Sequence, residues 1–290
     1  MVVDQKLTKI GNIQQITTNQ LSYYRTENTF NSYADFQSPG EFIEYFNWAK
    51  ENDFQIYILG NGSNTLFGRK NIKTVVLRNQ IPKSIEVLSD NQIKVSSSVQ
   101  VREVLKYCYE NSLDSFYYLA SVPATVGGAL AMNAGRGKKF NVSIYDHVKS
   151  VDFFDSKDGC VKTLKPEDIV LGYRNTIFTG IQSSFVISAV FEFDKCSLNG
   201  NPIQERCRWS KKNQDYSAPS CGSVFKKFDY QILSKLKGYR VGKAKFSEKT
   251  NNWISNKSDS PINIKILILI AKLLHAIKRK KPVLEIIVVE

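Results

Sequence analysis

The stretch YILGNGSNTLFG, residues 57–68, sets Gly60, Asn61, Gly62, Ser63, Asn64 and Thr65 directly after an apolar run. Glycine and asparagine tolerate positive φ, so such a loop can turn successive main-chain N–H groups inward, and the hydroxyls of Ser63 and Thr65 add donors. The product would suit a pyrophosphate, although a plain turn uses the same residues. Neither G-x-G-x-x-G nor G-x-x-x-x-G-K-[ST] is present, so the Rossmann and P-loop fingerprints are missing. A second stretch, LASVPATVGGALAMNAGRG (119–137), joins Ser121, Val122, Pro123 and Thr125 to Gly127-Gly128 and Asn133-Ala134-Gly135. Side chains this small admit a phosphate or a flat ring to the backbone; a tightly packed helix start reads the same way. Two such loops in one α/β domain suit a dinucleotide with separated phosphates. Five cysteines without a C-x-x-C pair and two histidines, His147 and His275, make a metal site unexpected.

The elements around these loops follow from periodicity. EFIEYFNWAKENDF (41–54) carries Phe42, Tyr45, Phe46 and Ala49 at helical spacing, and VREVLKYCYENSL (101–113) is a second amphipathic helix. QIYIL (55–59), TVVLRN (74–79) and FVISAVFEFD (185–194) read as strands. SIEVLSDNQIKVSSS (84–98) and VKSVDFFDSKDGCVKTL (148–164) read as hairpins, the latter turning at Asp158-Gly159. Residues 196–220 are polar and turn-rich, so a domain boundary is expected there. A third small-residue loop, SAPSCGSVFKK, follows. A long helix is expected to open with Ser260 as cap and Pro261 as first residue. In it Lys265, Lys272, His275 and Arg279 form one stripe, and its Ile and Leu faces should pack against something large.

A chain of 290 residues with 42% hydrophobic and 12% aromatic content can bury real cores. MVVDQKLTKIGNIQQ lacks a continuous apolar stretch, so no secretory leader is expected, and the longest apolar run, 266–271, is too short to span a bilayer. A cytoplasmic, reduced protein is the expectation. The net charge of +13 favours anionic partners, yet the basic residues look scattered apart from KRKK at 278–281, so nucleic acid is not expected.

LGNGSN, SVPATVGGALAMNAG, LGYRNTIF, SAPSCGSVFKK and GKAKFSEKTNNWISN occur in the order and approximate spacing of UDP-N-acetylenolpyruvoylglucosamine reductases, the MurB family. The first resembles the family's LGxGSN, the second its xxPGTVGGAxxMNAG, and the fourth its SAGSxFKxP; ENTF (27–30) is similar to its NTF opening. The likeness covers roughly residues 25–285. It implies an α+β, two-domain FAD-binding fold of the vanillyl-alcohol-oxidase (PCMH-type) class. An FAD-binding domain would span 1–195, in subdomains of about 20–78 and 79–195. A smaller α+β substrate domain would span 196–290. FAD would lie along 60–65 and 121–135. NADPH would supply the hydride, and an anionic sugar nucleotide would be reduced from enolpyruvyl ether to UDP-N-acetylmuramate. A monomer is favoured.

The resemblance also distributes roles. Arg174 of GYRNTIF would face the substrate carboxylate, with the fixed charge and forked donors that suit it. Ser223 of SCGSVF would deliver the proton, whereas Cys221 is read as packing. Tyr173, Lys226, Lys227 and Asn256 would contact substrate. At VLEIIVVE (283–290) the family's LExEVR admits two registers: one leaves the catalytic carboxylate at Glu285, the other loses it to Ile287. Thr250 stands where the family has histidine, Phe228 where SAGSxFKxP has proline, and the VGG after NTF is missing. Three readings therefore stay open: an active reductase, a flavin-binding paralogue with lost or altered activity, and a related flavin oxidoreductase for another anionic substrate.

Overall fold

The computed structural model describes residues 11–290; most of the segment read above for a leader lies outside them. Helix α1, Pro39–Glu51, begins three residues before its apolar periodicity. Ser38 Oγ accepts from Glu41 N at 3.1 Å and Pro39 presets the first turn. Its inward face, Phe42, Tyr45, Phe46, Trp48 and Ala49, covers a sheet ordered Gln14–Thr18, Asn28–Phe36, Val75–Asn79, Ile56–Leu59, with Asn71–Ile72 beside the second strand. The last three strands of that order run parallel. Val75–Asn79 and Ile56–Leu59, largely buried on both faces, open as continuous apolar runs, whereas Asn28–Phe36 exposes Asn31 and Asp35.

The second sheet is antiparallel: Cys160–Leu164, Val148–Asp155, Phe185–Glu192, Gln92–Ser96, Ile85–Ser89. Both expected hairpins are present, with Gly159 at φ +68 in the longer of the two turns. Helices α2, Val101–Glu110, and α3, Val126–Ala131, fill its inner face, and α4, Pro166–Ile169, closes one edge. Phe154 and Phe185 leave this sheet to pack on Phe42, at ring centroids of 5.7 and 5.0 Å. Helix α1 is thereby shared by the two sheets.

The stretch 196–220 is not only turn. Helix α5, Pro202–Asn213, occupies it, capped by Asn201 Oδ1, which accepts from Gln204 N at 3.0 Å, and Ile203 reaches the second sheet's core. After it come Phe225–Lys227, α6 (Tyr230–Lys235), the strands Arg240–Val241, Ala244–Phe246 and Ile254–Asn256, and α7 (Ile262–Ile277). Phe225–Lys227 pairs with Val283–Leu284, and Ile287–Val289 then runs parallel to Thr65–Phe67 back in the first half of the chain.

Two expectations about α7 are corrected. Pro261 takes the cap position, its carbonyl accepting from Lys265 N at 3.1 Å, and Ser260 stands one residue outside it, its Oγ accepting from Ile262 N at 3.3 Å. His275 is not on the lysine stripe but fully buried: its Nε2 accepts from Asp229 N at 2.9 Å and its Nδ1 donates to Ala271 O at 2.7 Å. An imidazole with both nitrogens satisfied can sit in a core, and here it pins α7 to the cap of α6.

Candidate active site

Both small-residue loops, the 173–174 turn, the 217–223 loop and residues 285 and 287 border one cavity of about 1000 Å³. That is the upper end for a small-molecule pocket, about 300–1,000 Å³. In the first loop, Gly62 adopts φ +68, and a Cβ there would stand 2.1 Å from Leu21 O, so only glycine fits. Among the described residues the N–H groups of 61–64 meet no protein acceptor. Four consecutive unspent amides facing a cavity form an anion-binding wall.

The side chains of this loop do other work. Asn61 Nδ2 donates to Pro123 O at 2.8 Å, tying the first loop to the second, and Asn64 Nδ2 donates to Glu285 O at 3.0 Å. Thr65 Oγ1 is spent on Tyr57 Oη at 2.6 Å, so it is not a free donor. Ser63 keeps its hydroxyl at the wall.

The second loop behaves differently from the first. Thr125 caps α3 and accepts from Gly128 N at 3.2 Å, while Gly127 N donates to Ser97 O at 2.9 Å. A Cβ on Gly127 would meet Ser97 Cβ at 2.8 Å. These glycines serve close packing, leaving smooth backbone rather than amides to a ligand; Ser121, Val122, Pro123, Gly128, Ala134 and Gly135 line the same wall. Asn133 lies behind it, donating to Gly172 O at 3.0 Å, with its Oδ1 buried and unpartnered.

Arg174 lines the cavity with φ +53, its guanidinium fixed by Asn133 O at 2.8 Å, by Gly135 O, and by Glu285 Oε1 at 3.2 Å. Tyr173 stacks beneath it at 4.8 Å, and Lys226 Nζ donates to Arg174 O at 3.1 Å. Burial pushes the Glu285 carboxyl above the usual carboxylate range, with Arg174 and Lys226 pulling it back only in part. Of the two registers considered, it is Glu285 whose carboxylate enters the cavity beside Arg174, while Ile287 lines the wall as an apolar residue. Ser223 stands next to this pair. Its neighbour Val224 accepts Glu285 N at 2.8 Å, and its own hydroxyl has no protein partner among the described residues.

Cys221 is buried against Thr65 O at 3.3 Å and Ser22 Oγ at 3.6 Å, and burial pushes its thiol up to about 12, so it is not a thiolate. Three residues expected at the substrate are not among those lining the cavity: Lys226, whose ammonium is held by the Arg174 carbonyl, Asn256 and Lys227. Asn256 is buried with its amide spent on Tyr24 O at 2.8 Å and Ser258 O at 2.7 Å, and Lys227 is exposed at a strand end.

Other residues escaped sequence reasoning. Asn252, at φ +64, binds both Phe225 N (3.0 Å) and Phe225 O (2.8 Å), holding the start of the strand that follows Ser223. Asp215 organises the 215–223 loop; burial raises its carboxyl, but hydrogen bonds from Ser217, Ser247 and Ser255 prevail and hold it at about 2. Arg136 and Arg206 line the cavity without an acidic partner among the described residues. Arg206 Nε is buried and unpartnered, and burial together with Arg136 lowers its pKa. The Tyr118 hydroxyl is a further buried orphan on the wall. The only advance signal for these was AGRG and the SEKTNNW motif.

Free amides, uncompensated guanidiniums and orphan donors make a site for a large polyanion, which fits a dinucleotide cofactor and a phosphorylated substrate. A family profile described as FAD binding domain matches residues 32–165. UDP-N-acetylenolpyruvoylglucosamine reductase of Aquifex aeolicus is 32% identical over 77% of this chain and 76% of its own. The enzyme of that name from Francisella tularensis is 30% identical over 85% and 88%. The crystal structure of the Thermus caldophilus enzyme matches with a TM-score of 0.75 at 20% identity, over 96% of this chain and 99% of that one, which speaks for the fold alone.

Proposed function

Because the chain belongs to the UDP-N-acetylenolpyruvoylglucosamine reductase family, we propose that it reduces UDP-N-acetylglucosamine enolpyruvate to UDP-N-acetylmuramate for peptidoglycan precursor synthesis, using FAD and NADPH. Bound FAD supplies the hydride carrier between NADPH and the enolpyruvyl double bond. The rest falls to side chains. Reduction leaves the carbon beside the substrate carboxylate with enolate character, so it needs charge stabilisation and a proton. Arg174, rigidly held, stabilises that charge together with the carboxylate. Ser223 holds the proton, and the neighbouring Arg174–Lys226 pair gives it the positive surroundings that a weakly acidic hydroxyl requires. Glu285 tunes the field of Arg174 and shares the proton inventory of the site.

The amides of 61–64 would face the cofactor pyrophosphate, the 121–135 wall its flat ring, and Tyr173, Arg136 and Arg206 the anionic nucleotide. In this reading residues up to 195 form the cofactor domain and 196–290 the substrate domain, in a cytoplasmic monomer without a nucleic-acid partner. One observation carries it: Glu285 Oε1 stands 3.2 Å from Arg174 Nε inside the cavity. The paralogue reading rested on the loss of that carboxylate, and its presence favours the reductase.

The purified protein should be yellow and oxidise NADPH only with the sugar nucleotide present. Ser223→Ala should keep the flavin spectrum and lose turnover by about 10²–10⁴-fold. A colourless protein, or NADPH oxidation indifferent to the sugar nucleotide, refutes the proposal.

A further inference from the structure

Helix α7 is apolar on opposite sides. Ile264, Leu267, Ile268, Ala271 and His275 are buried against the domain core. Facing away from them, Ile262, Ile266, Leu269, Leu273 and Ile277 recur at intervals of four, three, four and four, which places them on one stripe. Leu269 and Leu273 are each 54% exposed and Ile277 is 75% exposed. A helix hydrophobic all round belongs inside something, and a contiguous exposed stripe marks an interaction surface.

Charge identifies what covers it. Between residues 226 and 290 there are fifteen Lys and Arg against five Asp and Glu, so this stretch carries ten units of the chain's net +13. The basic residues are concentrated, not scattered as the linear sequence suggested. Lys265 and Lys272 edge the stripe, and Lys278, Arg279, Lys280 and Lys281 follow at its C-terminal end. Lys265 pairs with Glu290 and Lys280 with Asp229; Lys272, Lys278, Arg279 and Lys281 have no acidic partner among the described residues. The exposed aromatics Phe228 and Tyr230 flank Asp229, which is bonded to His275 and Lys280, so they stand at this same end.

We propose that the outward face of α7 docks on an anionic lipid bilayer, the helix lying flat in the headgroup layer. Apolar residues along the helix and unpaired cations at its edge and end are the two components of interfacial binding. Sixteen residues at 1.5 Å each make about 24 Å, short of the ~30 Å hydrocarbon core. Among the described residues no helix is long and apolar enough to cross a membrane. A second copy is the poorer occupant, since pairing this face with itself would bring two strongly positive regions together. Nucleic acid would satisfy the charges and leave the stripe wet.

The test is co-sedimentation of the full chain with vesicles of phosphatidylglycerol mixed into phosphatidylcholine, against phosphatidylcholine alone. The chain should partition onto the anionic vesicles and be released by salt. Leu269→Glu with Leu273→Glu should weaken partitioning by at least about tenfold. Lys278→Gln, Arg279→Gln and Lys281→Gln together should weaken it by roughly fivefold per charge at low salt. Both variants should keep their melting temperature, since these side chains face solvent. No difference between the two vesicle types, or partitioning unmoved by the variants, overturns the proposal. Self-association lost in the Leu269→Glu, Leu273→Glu variant, without vesicle binding, assigns the face to a second copy instead, and retention on DNA without vesicle binding assigns it to nucleic acid.

Discussion

Replacing Glu285 by glutamine separates catalysis from stability. Glu285 is mostly buried, and desolvation outweighs its attraction to Arg174 and Lys226, so the fold disfavours its charged form. A group whose folded pKa is raised contributes stability below its unfolded pKa and loses that contribution as the pH rises through the folded value. At neutral pH the wild-type carboxylate therefore costs stability, and Glu285→Gln removes that cost. Arg174 is not abandoned, because Asn133 O and Gly135 O still accept from it and the glutamine carbonyl can replace Oε1. If the pair were instead a net stabiliser, removing one partner would cost about 3–5 kcal/mol, or about 6–10 °C at roughly 2 °C per kcal/mol for a chain of this size. The expected result is a melting temperature unchanged or raised. The gap to wild type should widen from acid to neutral pH, while turnover falls about 10²–10⁴-fold with flavin retained. Scanning calorimetry across pH and single-turnover reduction of the sugar nucleotide read both quantities. A drop of several degrees with loss of flavin, or turnover within a few-fold of wild type, refutes the reasoning.

Gly62→Ala should release the flavin and lower stability by about 1–3 kcal/mol from its φ alone, with a further loss from the Leu21 carbonyl; flavin fluorescence after gel filtration reads it. Cys221→Ser should leave turnover near wild type, and the folded protein's Cys221 should resist alkylation followed by peptide mapping, because its thiol is buried and protonated. His275→Phe strands the Asp229 N–H and should cost about 1–3 kcal/mol in denaturant unfolding without changing kcat. Asn252→Ala frees Phe225 at both its N–H and carbonyl, so kcat should fall more than KM rises as Ser223 drifts; a fall in stability with unchanged kcat would sink the positioning role.

The loops were legible because each is a contiguous run whose chemistry and geometry reside in neighbouring residues. The strands and the two amphipathic helices of the first half were legible because their apolar periods are local as well. What the linear order hid is of two kinds. Helix α5 has one strongly buried apolar residue, Ile203, so its periodicity is faint, although Asn201-Pro202 and Glu205 did carry a capping signature. The Arg174–Glu285 pair joins positions 111 residues apart, and nothing in either neighbourhood names the other. Glycines raised the opposite problem. Gly127 and Gly128 suggested free amides, but a tertiary contact with Ser97 consumes the first and the Thr125 cap consumes the second, and the donor wall belongs to the first loop alone.

The parallel pairing of Ile287–Val289 with Thr65–Phe67, reinforced by Asn64 on Glu285, clasps two segments some 220 positions apart. On the ribosome, residues 60–65 emerge long before the strand that anchors them. A nascent chain halted just before position 285 lacks Glu285 and Ile287, the last two residues that line the cavity, and leaves Arg174 without its counter-charge. The loop made near the start of synthesis thus waits for the very end of the chain to complete its sheet.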